Sequence, residues 1–172
     1  MIAIETYTVQ NAFLFKAARL RALQDAPSAF AATYAEESQL SDADWIERAT
    51  QANGERSIFY LAMEGDEVCG IAGVLPDLDE ASQARLVSMW TAPAHRRQGI
   101  GQLLVNEILE WAGCHGVKAM LLHVAYNNQS AIAFYERLGF SMTGRTVTYA
   151  SDPAAVVYEM ARSISAATSS SF

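Results

Sequence analysis

Apolar and polar positions alternate at the start of the chain: in IAIETYTV, residues 2 to 9, Ile2, Ile4, Thr6 and Thr8 share one face and Ala3, Glu5, Tyr7 and Val9 the other. A period of two with β-branched residues predicts a strand. From Ala12 to Leu23 the period lengthens. Phe13, Ala17 and Leu20, with Leu14 and Leu23 beside them, recur at helical spacing, and Lys16, Arg19 and Arg21 lie towards the other side. Asp25, Pro27 and Ser28 break that helix. A second helical region is expected over 31 to 52, interrupted near Ser41, which reads as an N-cap with Asp42 and Asp44 in the turn after it.

Ile58 to Met63 and Glu67 to Leu75 are β-prone apolar runs joined by Glu64-Gly65-Asp66, a hairpin signal. Ala84 to Thr91 predicts a further strand, stopped by Pro93. Helical spacing then places Ile100, Leu104, Ile108 and Trp111 on one face and ends near Gly113 and Gly116. Val117 to Ala125 is largely apolar, as in a strand buried on both faces. Asn127 to Leu138 is helical through Ala131, Phe134, Tyr135 and Leu138, with Gly139 as its C′ residue, and 141 to 149 and 154 to 160 finish as strands. The order β, α, α, β, β, β, α, β, α, β, β has no repeat and no linker. It predicts an α/β layered domain over 1 to 162, in which the strand-helix-strand unit 84 to 125 supplies a parallel pair.

Composition narrows the function classes. A chain of 172 residues that is 51% apolar forms one domain with a hydrophobic core. Twelve Lys and Arg against 19 Asp and Glu leave a net charge of −7, which argues against general nucleic-acid binding. Cys69 and Cys114 are far apart with no C-x-x-C, so neither a disulfide framework nor a metal site is expected, and both read as small buried apolar residues. The N-terminus lacks a signal-peptide pattern and no run of 18 apolar residues occurs, so the expectation is a cytoplasmic protein without a membrane partner. Residues 163 to 172, small and polar, read as a disordered tail.

Against the acidic background, AHRRQGIG (94 to 101) sets Arg96, Arg97 and Gln98 beside Gly99 and Gly101 where a strand gives way to a helix. First-turn amides without intrahelical acceptors, the helix dipole and two guanidinium groups suit an anion, phosphate above all. A P-loop is excluded because no Lys-Ser or Lys-Thr follows. A dinucleotide fingerprint is excluded because Leu104 stands where a third glycine belongs and Ala119-Met120-Leu121 where an acid belongs. A plain helix start with solvated arginines remains the alternative on these residues alone.

R-R-Q-G-I-G resembles the acetyl-CoA loop, R/Q-x-x-G-x-G/A, of the GCN5-related N-acetyltransferase superfamily. VAYNNQSAIAFYERLGF, 124 to 140, resembles that superfamily's second signature, with Asn128, Ala131, Tyr135, Gly139 and Phe140 in register. The resemblance implies a three-layer fold: a mixed, mostly antiparallel sheet whose central parallel pair splays apart, flanked by helices. It further implies an N-acetyltransferase acting directly from acetyl-CoA to a primary amine, a small amine or amino-acid derivative ahead of a protein. The pyrophosphate would lie on the amides of Arg97, Gln98, Gly99, Ile100, Gly101 and Gln102, with charge from Arg96 and Arg97. The pantetheine arm would run along the backbone at Met89, Trp90 and Thr91, although Trp90 replaces a smaller residue. Asn128 would contact the arm, its plain reading being an N-cap, and Tyr135 would act as general acid towards the departing thiolate, its plain reading being a core aromatic.

The strand segment 84 to 89 lacks the carboxylate that some relatives use as base. Glu36, Glu37 and His123 are candidates, each with a plain reading as a solvated acid or satisfied histidine. Glu36, Glu37, Asp42 and Asp44 would suit a cationic amine, or a solvated helix face. Cys114-His115 falls at a helix end and is set aside as a nucleophile. A non-catalytic acyl-CoA sensor and a protein N-acetyltransferase are the alternative functions, and a homodimer is an open expectation from the superfamily.

Overall fold

The computed structural model describes residues 1–150 and 152–166. Among them seven strands form one sheet: β1 (Ile2–Thr6), β2 (Ile58–Glu64), β3 (Glu67–Pro76), β4 (Gln83–Thr91), β5 (Ala119–Ala125), β6 (Ser141–Tyr149) and β7 (Asp152–Ser163), in the order β1-β2-β3-β4-β5-β7-β6. Every neighbouring pair is antiparallel except β4 and β5. A parallel pair needs a crossover, supplied here by helix α4 (Ile100–Cys114).

Two cores sandwich the sheet. On one face the apolar stripe of α4, Ile100, Leu104, Val105, Ile108 and Ala112, packs with Ala72, Val74, Leu86, Met120 and Leu122. On the other, α1 (Ala12–Asp25) and α3 (Asp42–Gln51) bury Ala18, Ala22, Leu23, Trp45 and Ala49 against Leu61, Ile71 and Trp90. Helix α5 (Gln129–Arg137) joins the α4 side through Ile132 and Tyr135. The expected three-layer arrangement is thus what the chain adopts.

Several expected boundaries move, for identifiable reasons. The first strand stops at Thr6 because Tyr7 turns into the core, where its ring stacks on Phe15 with centroids 3.9 Å apart and its hydroxyl donates to Trp45 O at 3.0 Å. The expected interruption near Ser41 separates a short α2 (Tyr34–Glu37) from α3, and the region starts at Tyr34 rather than at 31, after a 3-10 turn at Pro27–Ala29. Thr33 and Ser41 each form a reciprocal capping box, with Glu36 and Asp44, and these caps set where α2 and α3 begin. Cys69 is buried as expected, whereas Cys114 is exposed, because it falls outside the buried stripe at the last position of α4. Strand β7 runs through Ser163, and Ile164 N–H donates to Lys118 O at 2.9 Å. The rest of the expected tail, 167 to 172, lies outside the described residues.

One irregularity positions the site. Strands β4 and β5 pair only from Gln83 with Ala119 to Leu86 with Leu122. Beyond that, β4 continues with β3 and β5 continues with β7 as far as Ala125 opposite Val157. In β4 the step from Val87 to Trp90 spans three residues while β3 steps only from Gly73 to Ile71, so β4 carries one extra residue. Ser88 sits in this bulge with φ +58°. A bulge bends and twists its strand, and this one lies where β4 leaves β5.

Candidate active site

The splay opens onto a cavity of about 700 Å³ that runs between β4 and β5 and under the α1–α3 segment. Val87, Ser88 and Met89 line it from β4, His123 and Val124 from β5, and Asn128 and Tyr135 from the start and end of α5.

Beyond Met89 lies the glycine turn. Gly99 is the N-cap of α4 with φ +81°, open space around its missing Cβ and no side-chain cap. Arg97 is also left-handed, at φ +63°. The first helical hydrogen bond of α4 runs from Leu103 N–H to Gly99 O at 3.0 Å, so the amides of Ile100, Gly101 and Gln102 precede any intrahelical acceptor. Gly101 is needed for a different reason. A Cβ there would lie 3.1 Å from Met89 Cε and 3.2 Å from Phe134 Cζ, so bare backbone lets α4 sit against the cavity wall.

The two arginines of the turn diverge. Arg97 is exposed and makes no side-chain hydrogen bond among the described residues, whereas Arg96 donates from Nε to Thr91 O at 3.1 Å and from Nη2 to Asp25. Asp25 also accepts from Trp90 Nε1 at 2.9 Å; that indole bond, with Arg96 beside it, holds the carboxyl below its ordinary range despite some burial. Arg96 therefore pins the turn to the end of α1. Gln98 donates to Ala94 O at 3.3 Å, and Gln102 is exposed. On the strand, only Met89 of the expected trio reaches the cavity: Trp90 turns its indole into the α1–α3 core, and Trp90 and Thr91 pair with Ile71 and Gly70.

Asn128 caps α5 by accepting from Ala131 N–H at 3.2 Å, and it also borders the cavity. Tyr135 is 7% exposed, with Phe134 and Phe140 edge-on at 5.2 and 5.8 Å. Its hydroxyl has no hydrogen-bond partner among the described residues, and burial pushes the phenol well above its usual range, so it stays protonated.

On β5, His123 is half-buried, with the Tyr149 ring 6.4 Å away between centroids. Burial lowers its basicity, as do the charges of Arg85 and Arg145, against the opposing pull of Glu159 and Asp77, so the imidazole is neutral at pH 7. The acidic candidates are elsewhere. Glu36 is spent in the α2 capping box, Asp44 in that of α3, and Asp42 pairs with Lys16 at 3.0 Å.

Glu37 is buried and bridged by Arg19 at 2.8 Å and Arg48 at 3.0 Å. Burial alone would raise its carboxyl, but the two arginines overcome that and hold it below the ordinary range. Glu37 is thus neither a solvated acid nor a base. No Asp or Glu among the described residues lines the cavity, which removes the expected acidic wall for a cationic amine. Cys114 and His115 lie off the cavity as well, His115 being stacked on Trp111 at 4.3 Å.

Sequence reasoning missed Arg19, Arg48, Arg85, Ser88 and Tyr149, all of which line the cavity. Periodicity places Arg19 on the polar side of its helix and singles out none of the others; only the folded topology turns them inward.

Residues 20–140 match the Acetyltransferase (GNAT) family. Over 93 residues, 52% of this chain and 41% of that protein, the sequence is 32% identical to N-acetyltransferase 8 of Homo sapiens; the chain spans about two fifths of the length of such curated relatives. A GNAT-family acetyltransferase of Streptococcus pneumoniae superposes with a TM-score of 0.79 at 20% identity, covering 95% of this chain and 99% of that one. The PaiA N-acetyltransferase of Thermoplasma acidophilum, solved in complex with coenzyme A, does so with a TM-score of 0.72 at 14% identity, covering 95% and 99%. With the family match spanning more than half of the chain and taking in the splayed pair, the glycine turn and Tyr135, the chain belongs to the acetyltransferase (GNAT) family.

Proposed function

We propose that this protein transfers an acetyl group from acetyl-CoA directly to a primary amine, and that the acceptor is a small amine or amino-acid derivative. The observation that carries this reading is continuity: one cavity runs from the unpaired edges of β4 and β5 to the protonated Tyr135, with the glycine turn beyond Met89. The Thermoplasma relative of the same fold holds coenzyme A. Here the pyrophosphate would rest on the turn amides from Arg97 to Gln102, where unpaired N–H groups and the helix dipole favour an anion. The pantetheine arm would extend along β4 at Met89, Trp90 and Thr91, adding itself as a strand in the gap left by β5. Asn128 would meet it from the opposite wall. Arg96 acts indirectly, by holding the turn to Asp25.

In the chemical step the amine attacks the thioester carbonyl, the C–N bond forms and the C–S bond breaks. Tyr135 supplies a proton to the departing thiolate, and the same desolvation that raises the phenol also raises the thiolate's proton affinity. The amine's proton passes to His123, the neutral imidazole on the acceptor side. A concave site suits a small acceptor better than a protein chain. An amine library with acetyl-CoA and mass detection of products tests this: acetylated small amines support it, and tight acetyl-CoA binding without any product would replace it with a sensor.

A further inference from the structure

We propose that the acceptor carries its own carboxylate beside the amine and that Arg85 binds it, so that the acceptor class is α-amino acids with apolar side chains. This rests on the acetyltransferase reading and deepens it. Three arginines line the cavity and no carboxylate does, among the described residues. Arg19 and Arg48 share the single carboxylate of Glu37, and Arg19 also donates to Ser88 Oγ, so both are held by partners within the chain. Arg85 makes no side-chain ion pair or hydrogen bond among the described residues, although it is half-buried at the wall. A cation held in such a cavity without a counter-charge favours an anionic group of the ligand, and a guanidinium fork fits a carboxylate with two parallel hydrogen bonds.

The sheet register places that cation next to the chemistry. Arg85 pairs with Leu121 across the parallel strands, and His123 follows two residues on along β5, on the same face. At ~3.3 Å per residue the two positions are about 7 Å apart along the strand, within the combined reach of a guanidinium and an α-amino acid. The Arg85 charge is already felt at His123 and at Tyr149, as the direction in which it moves both groups shows. The other charges acting on His123 are Arg145, Asp77 and Glu159; none of them lines the cavity, and Glu159 is engaged by the Thr143 hydroxyl at 2.9 Å.

Apolar groups surround the anchor. Leu75 lies directly opposite Arg85 in β3, and the Phe59 ring occupies the space over Gly73, where a Cβ would come within 2.2 Å of it. This wall takes an aliphatic or aromatic side chain, and the cavity offers a second ammonium group no carboxylate among the described residues, which disfavours diamines.

The test compares matched pairs as acceptors for the full chain with acetyl-CoA: L-phenylalanine against L-phenylalaninamide and L-leucine against L-leucinamide, at equal concentrations of free amine. The expected result is a kcat/KM about tenfold or more higher for each acid, because the amide leaves the guanidinium without its anion. Arg85→Gln is expected to bring the acid-to-amide ratio to about one, and Arg85→Lys to restore part of it. Acetyl-CoA affinity by calorimetry verifies that each variant is folded, and the wild-type ratio decides the matter without any variant. A wild-type ratio near one, an unchanged ratio in Arg85→Gln, or acetyl-CoA binding with transfer to neither member of any pair overturns this inference alone. Failure of the wild type to bind acetyl-CoA overturns the acetyltransferase reading with it.

Discussion

The guanidinium of Arg19 donates from Nη1 to Ser88 Oγ at 2.9 Å, tying α1 to the bulge where β4 parts from β5. The same guanidinium holds Glu37 through Nε at 2.8 Å and packs over the Phe30 ring at 4.8 Å. A residue that periodicity places on the polar side of α1 therefore supports the left-handed backbone at the bulge where β4 parts from β5.

Ser88→Ala and Ser88→Gly separate the two parts of that arrangement. Both lose the Arg19 bond, worth about 1 kcal/mol. Only alanine keeps the cost of φ +58°, so the glycine variant should be the more stable of the two. The expected difference in denaturant unfolding is about 1 kcal/mol.

Glu37→Gln leaves Arg19 facing a neutral amide in a buried setting, with Arg48 half-exposed beside it. Breaking such a pair costs about 3 kcal/mol. At roughly 2–4 °C per kcal/mol for a chain of this size, Tm should fall by about 6–12 °C. The folded carboxyl lies below its ordinary value of 4.5, so its stabilisation is full above that pH and disappears as pH falls through the lowered value. Calorimetric melts of the two proteins should accordingly converge in acid.

The two glycines of the turn should respond differently. Gly99→Ala places a Cβ on a left-handed residue with room around it, so about 1 kcal/mol of stability is lost to backbone strain alone. Gly101→Ala meets the flexible end of Met89 at 3.1 Å, which can yield into the cavity it lines, and the edge of the Phe134 ring at 3.2 Å, which needs to give by a few tenths of an ångström. Its expected signature is a raised KM for acetyl-CoA with little change in Tm.

On the proposed mechanism His123 sets the acid limb of the rate profile. Its folded pKa lies below 6.5, so with saturating acceptor kcat should hold down to that region and then fall as the imidazole gains a proton. His123→Gln should lower kcat by about 100-fold and abolish that limb. An unchanged profile in the variant would assign the proton to another acceptor.

Much of the donor side is legible in the sequence because it is local. The glycine turn, the N-cap at Asn128 and the stripe ending in Tyr135 are contiguous patterns, and the strand-helix-strand unit 84 to 125 forces a parallel pair. The acceptor side is not, because it is assembled by topology. Arg19, Arg48 and Glu37 come from three separate helices and read singly as solvated charges. Arg85 sits in an ordinary strand alternation until β5 fixes which face is the cavity. The bulge at Ser88 leaves no composition signal either, since serine is not a residue whose φ is expected to be positive.

Amine-dependent release of free thiol from acetyl-CoA, followed in the wild type and in Tyr135→Phe, tests the central claim most directly. The account predicts an acetylated amine and free coenzyme A from the wild type, and a loss of about 100-fold in kcat for Tyr135→Phe with acetyl-CoA affinity nearly kept. No amine-dependent thiol release by the wild type, or a full rate in the variant, would contradict it.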